Sequence, residues 1–210
     1  VARVARRLGA HQRNTATRHD TFLDRGTGRM QRILDGMTDD RSRYYRSAYV
    51  NSDVANPVTA SNKMEVSDFD VNRVNVMYCG NKGVSLEPGT YSDMVIIGYG
   101  CDFTMKNGVA LENMTLITTS TDDKSISAPN GFRLGRDDNC GDGGGAQIIT
   151  WGGFSVASGL EMYGSQIIAA GPIAFAANAD GIQGASMVSG ETIDGTSNMS
   201  FGFCGCWTIS

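Results

Sequence analysis

After His19 the chain has no histidine, it has no Cys-x-x-Cys pair, and it has no apolar run long enough to span a membrane. Without histidine, residues 20–210 cannot assemble a Ser–His or Cys–His nucleophile. The strained G-x-S-x-G turn is missing too, so only a Ser–Lys dyad stays open for nucleophilic chemistry. Cys204 and Cys206 are one residue apart with no histidine nearby, which excludes the usual zinc spacings. A spanning helix needs roughly 18 to 20 apolar residues, and no segment approaches that. The opening VARVARRLGAHQRN is basic but lacks the apolar stretch of a secretory signal. Val1 stands where a start methionine is expected, which fits a cut chain, a partial reading frame or a non-Met start codon read literally.

What is present is distributed unevenly. Residues 1–50 carry 11 Arg and 5 Asp, a net of +6, and residues 51–210 carry a net of −10 within a chain of 210 residues and net charge −4. Of the 27 glycines, 23 follow residue 50, as do all five cysteines. The arginines of the leader are scattered, with no aromatic residue before Phe22, so a flexible solvated extension is favoured over a nucleic-acid or lipid-binding arm. Within it Phe22, Leu23, Met30, Ile33 and Leu34 share a helical phase, but Gly26 and Gly28 restrict any helix to a short piece around Met30–Leu34. Residues 1–45 are therefore expected to form a basic, flexible or helical leader. Residues 46–70 form an extended linking segment, and residues 71–210 the body.

From Val71 onward, short apolar or alternating runs recur between glycines and Asn or Asp: VNRVNVMY, VSLEPGTY, MVII, DFTM, QIITW, FSVAS, IAFAA. Period-two alternation with β-branched residues argues strand, and no segment carries apolar residues at helical spacing over three turns. Short strands with corners of one to three residues suit a solenoid. The expected fold is all-β, a right-handed parallel β-helix, with a β-sandwich as the alternative. Its inward positions would be Ile148, Phe154, Val156, Leu160, Met162, Ile167, Ile173, Phe175, Ile182 and Met187. Its corners would be Gly152, Gly153, Gly159, Gly164, Gly171, Gly181 and Gly184, where positive φ is needed. No constant repeat length emerges. Met94, Met105, Met114, Met162, Met187 and Met199 are read as core filling, and the triplets beginning at Asn113 and Asn198 as accidental glycosylation matches.

The run YCG (78–80), then VSLEPGTYSDMVII (84–97) and CDFTM (101–105), resembles the TadG-related pilus-assembly proteins of the alphaproteobacterial envelope. The family's Leu-x-Pro-Gly-x-Tyr turn is matched by Leu86, Pro88, Gly89 and Tyr91. The Gly-rich stretch from Gly143 to Gly205 is similar to the family's carboxy-terminal part. The resemblance covers about residues 65–206 and implies an extracytoplasmic structural role in Tad/Flp pilus assembly. It also implies a membrane anchor that this chain does not contain.

The most conspicuous candidate site is GRDDNCGDGGGAQ, residues 135–147. Its aspartates miss the EF-hand register, with Ile148 where the twelfth-position Glu belongs. No Gly-Lys-Ser/Thr ending or following helix supports a phosphate cradle. Adjacent Asp137 and Asp138 point to opposite faces of a strand. A catalytic pair would thus need a partner such as Asp102 or Asp123 from a neighbouring coil. A calcium ion held irregularly by Asp137, Asp138 and Asp142 stays open. Cysteines clustered in a Gly-rich body favour an oxidising compartment. Cys79 and Cys101 lie one coil apart and are an expected disulfide; Cys140 with Cys204 is the second expected pairing, with Cys206 the expected leftover.

These observations give a first reading as a non-enzymatic structural protein of the cell envelope, periplasmic or extracellular. It would have no cofactor beyond possible calcium and no nucleic-acid partner, and would contact other pilus-assembly or envelope proteins. The alternative is a carbohydrate-active β-helix: a polysaccharide lyase, hydrolase or glycan-binding module. A phage or secreted adhesin, recognisable by trimerisation, is a third.

Overall fold

The computed structural model describes residues 55–137, 145–179, 182–196 and 201–202. They form a parallel β-solenoid of about six turns in which every strand pairing is parallel. Each full coil contributes strands to three walls.

The first wall stacks β1 (Asn56–Pro57), the start of β3 (Val74–Leu86), the start of β5 (Val95–Met105), β7 (Thr115–Thr118), β10 (Gln147–Thr150), β13 (Gln166–Ala169) and β16 (Ser186–Ser189). The second wall stacks β2 (Lys63–Met64), the ends of β3 and β5, β8 (Ile126–Ala128), β11 (Phe154–Val156), β14 (Ile173–Phe175) and β17 (Ile193–Gly195). The third wall holds β4 (Gly89–Ser92), β6 (Val109–Glu112), β9 (Arg133–Leu134) and β12 (Glu161–Met162), while β15 (Ile182–Gln183) pairs with β18 (Phe201–Gly202). The pairings of β1 and β2 with β3 bring part of the 46–70 segment into the stack, ahead of the expected start at residue 71.

Because side chains alternate along a strand, each wall sends one row inward. Ile96, Leu116, Ile148 and Ile167 stack in register along the first wall. Phe103, Ile126, Phe154 and Ile173 stack along the second, and Tyr91, Leu111, Leu134 and Met162 along the third. All twelve are fully buried in one continuous core. Each such burial contributes roughly 1.5–3 kcal/mol. Of the ten inward positions expected from sequence, eight lie in this core and Met187 packs against it; the Ile182 side chain lies outside the described residues. Met94, Met105, Met114 and Met162 are core residues as well, and Met199 lies outside the described residues.

The corner glycines need a divided explanation. Gly159, Gly164 and Gly184 do adopt positive φ. Gly152, Gly153 and Gly171 do not; there the constraint is proximity between coils. A Cβ on Gly152 would sit 2.0 Å from the Asp122 carbonyl oxygen, and one on Gly153 2.1 Å from that of Asp123. Gly181 lies outside the described residues.

Coil length is regular except once. Paired residues Ile96 and Leu116 are 20 apart, Ile148 and Ile167 19, and Ile167 and Met187 20. Leu116 and Ile148, also paired, are 32 apart. Part of the excess lies between the first and second walls, where Phe103 and Ile126 are 23 apart. The rest follows Leu134, at the corner from third to first wall, within GRDDNCGDGGGAQ.

Candidate functional site

The structure places the two ends of the conspicuous stretch at one corner. Gly135 donates its N–H to Leu111 O at 2.7 Å. A Cβ at Gly135 would fall 2.0 Å from Tyr163 O, and one at Gly145 2.3 Å from Gly164 O. Both ends therefore press beneath the same three residues of the next coil, 163–165. The buried Ser165 hydroxyl joins them. It accepts from Ala146 N at 2.9 Å and shares its proton between Tyr163 O at 2.7 Å and Leu134 O at 3.1 Å. Of the calcium candidates, Asp137 is exposed at the loop base, while Asp138 and Asp142 lie outside the described residues, as do Cys140 and Cys204. Among the described residues no three His, Cys, Asp or Glu side chains cluster.

Beside the neck, Glu112 holds Arg133 Nη2 at 2.7 Å and Arg136 Nε at 3.4 Å. Arg133 is in register with Glu161 on the next rung. Burial raises the Tyr163 phenol above its ordinary range, and the nearby Glu161 and Asp137 charges raise it further against the opposing pull of Arg133. This is an ion-paired collar in which Glu112 is engaged by two guanidinium groups.

The acidic residues weighed as catalytic partners occupy other corners. Asp102 accepts a hydrogen bond from Ser120 Oγ at 2.5 Å, where the first wall turns into the second. Asp123 lies at that same turn, its carbonyl over Gly153. Asp137 lies where the third wall turns back to the first, so the fold brings neither Asp102 nor Asp123 to it.

Sequence reasoning missed an aromatic pair. Tyr78 and Tyr99 are in register and stack with ring centroids 4.9 Å apart and planes 10° from parallel. Tyr78 is 74% exposed, so the face of the pair meets solvent. Immediately after them Cys79 and Cys101 form a disulfide, as expected, with Cα atoms 5.0 Å apart. The signal was available: Tyr-Cys at 78–79 and Tyr-Gly-Cys at 99–101 repeat one coil apart. Gly80 and Asn81, both at positive φ, make the bulge that disguises the match.

The Leu86–Tyr91 turn is structural. Leu86 and Tyr91 are fully buried, and a Cβ on Gly89 would lie 2.7 Å from Val66 Cγ2. The Tyr91 hydroxyl lies 3.0 Å from the carbonyls of both Met64 and Glu87. Burial above all, with Glu87 adding charge repulsion, pushes its pKa well above the ordinary phenol range. Asn113, head of a glycosylation triplet, is half-buried and donates its side-chain amide to Asp93 Oδ1 of the preceding coil at 2.5 Å. The triplet's Met114 and Thr115 are fully buried.

Fold and geometry together define a disulfide-bonded parallel β-solenoid with one coil of longer sequence interval, and the disulfide fits an oxidising compartment. Among the described residues no helix is long and apolar enough to cross a membrane. The chain belongs to the family described as "Domain of unknown function (DUF7867)", which matches residues 5–205. Comparison with curated proteins and with solved structures returned no match.

Proposed function

We propose that the chain is a non-enzymatic structural domain of the cell envelope, periplasmic or extracellular, serving Tad/Flp pilus assembly or surface adhesion through contacts with other envelope proteins. The observation that carries this reading is the outer surface of the second wall. There Ser85, Thr104, Ser127, Ser155 and Ala174 follow one another in register. Small side chains repeating every rung, about 4.8 Å apart, make a flat strip. Such a strip suits a rigid protein contact better than the enclosure of a substrate. The Tad/Flp assignment rests on the resemblance of residues 65–206 to TadG-related proteins.

A second reading, a glycan-binding module, is favoured by the exposed Tyr78–Tyr99 stack, since flat aromatic faces pack against sugar rings. Envelope polysaccharides incubated with the purified chain separate the readings. A structural domain releases no new reducing or unsaturated ends and binds no better than its Tyr78→Ala variant. Product formation, or binding abolished by Tyr78→Ala, establishes the carbohydrate-active reading instead.

A further inference from the structure

The first wall is apolar on both faces. Ile96 and Leu116 point into the core, whereas Val76, Ile97, Ile117, Ile149, Ile168 and Val188 form the opposite, outward row, in register from rung to rung. An outward row on a tube wall meets water unless something lies across it. Yet Ile97, Ile117 and Ile149 are 0% exposed and Val76 only 8%, while Val188 at the far end is 52% exposed. Tyr99 and Trp151 pack beside the row from its own wall. Strand neighbours of that kind flank a row; they do not roof it. The covered part therefore runs from the coil of Val76 to that of Ile149, four rungs spanning about 14 Å, and ends before Val188.

We propose that residues 22–37 of the same chain lie across this row as an intramolecular strap. The chain reaches the row at the right place: Ala55 packs against it, and Pro57 pairs with Val76. Ahead of Ala55 the sequence supplies Met30, Ile33, Leu34 and Met37, spaced as one helical face, with Phe22 and Leu23 on the far side of Gly26 and Gly28. As a helix, residues 30–37 would cover about 10 Å, and Phe22 and Leu23 would extend the contact past the 14 Å required. Residues 38–54 can span about 56 Å when extended, ample to return the chain to β1. Charge also favours the docking, because residues 1–50 carry +6 and the remainder −10.

Trp151 reports on this directly in the full chain once Trp207→Phe leaves it as the sole tryptophan. In the Ile33→Asp/Leu34→Asp variant, with β-sheet circular dichroism unchanged, acrylamide quenching of Trp151 should rise about two-fold as the indole edge becomes wetted. Unchanged quenching overturns the proposal. Should that variant fail to fold, a photo-crosslinking benzoylphenylalanine at position 34 decides, using mixed light- and heavy-isotope chains. Same-chain crosslinks to residues 95–99, 115–118 or 147–151 support the strap. Crosslinks between chains would make a second copy the cover, and crosslinks to another wall, or none, would leave the segment elsewhere; each of these overturns it.

Discussion

The Ser165 hydroxyl accepts a hydrogen bond from the Ala146 amide at 2.9 Å while lying 3.1 Å from the Leu134 carbonyl. The chain that leaves the wall after Leu134 thus returns to it within reach of a single buried side chain. Ser165→Ala strands the Ala146 N–H in the interior and should cost about 1–3 kcal/mol, read as a lower denaturation midpoint at unchanged slope. Removing residues 136–144, by contrast, joins two ends that lie under the same three residues, 163–165, of the next coil. That variant should fold with a melting temperature within a few degrees of the parent, since closure entropy changes only slowly with loop length.

Two glycine substitutions separate crowding from backbone strain. Gly153→Ala would place a methyl group 2.1 Å from Asp123 O and 2.6 Å from Pro172 O, contacts of backbone against backbone. It should destabilise by more than about 3 kcal/mol, as overpacking between coils does. Gly131→Ala meets nothing within 4 Å and suffers only from φ of +71°, so a loss of about 1 kcal/mol is expected. Equal losses in urea titrations of the two variants would contradict the proximity argument.

The Cys79–Cys101 bond closes a separation of 22 residues between adjacent rungs. In the chain-entropy model that closure stabilises by roughly 3 kcal/mol. Dithiothreitol should lower the denaturation midpoint of the parent and leave that of Cys79→Ala/Cys101→Ala unmoved. A parent midpoint insensitive to reduction would show that the stack holds these rungs unaided.

Tyr91 makes stability depend on alkaline pH. Its folded pKa lies above the unfolded value of 10.0 because burial disfavours the phenolate. The stabilisation is therefore complete below about pH 10 and is lost as pH rises toward the folded pKa. Tyr91→Phe should lose about 1 kcal/mol at neutral pH through the missing hydrogen bond and lose less further stability than the parent above pH 10. Parallel pH–stability curves for the two proteins would contradict this.

The solenoid was legible because its walls are about four residues long and alternate cleanly: FSV and IAF each place two apolar side chains inward around one small residue. Its period was not, because the 32-residue interval from Leu116 to Ile148 interrupts a repeat of 19 to 21 and destroys any constant spacing. Corner glycines were found by their type, but half for the wrong reason. Positive φ is a local property that sequence suggests, whereas the approach of Asp123 O to Gly153 depends on a coil some thirty residues away. The Tyr78–Tyr99 stack escaped notice because the Gly80–Asn81 bulge shifts its repeat. The outward row of the first wall was visible as paired aliphatics in MVII, TLIT and QIIT. Two-sided burial is the usual reason a parallel strand reads as a continuous apolar run.

The structural role in pilus assembly is tested most directly by counting surface pili, by electron microscopy, on cells lacking the gene and on cells complemented with the parent chain or with Tyr78→Ala. The expected result is loss of pili in the deletion and full recovery with either complementing chain, since neither assembly nor the flat second wall involves the tyrosine stack. Undiminished pili in the deletion strain would contradict the role outright.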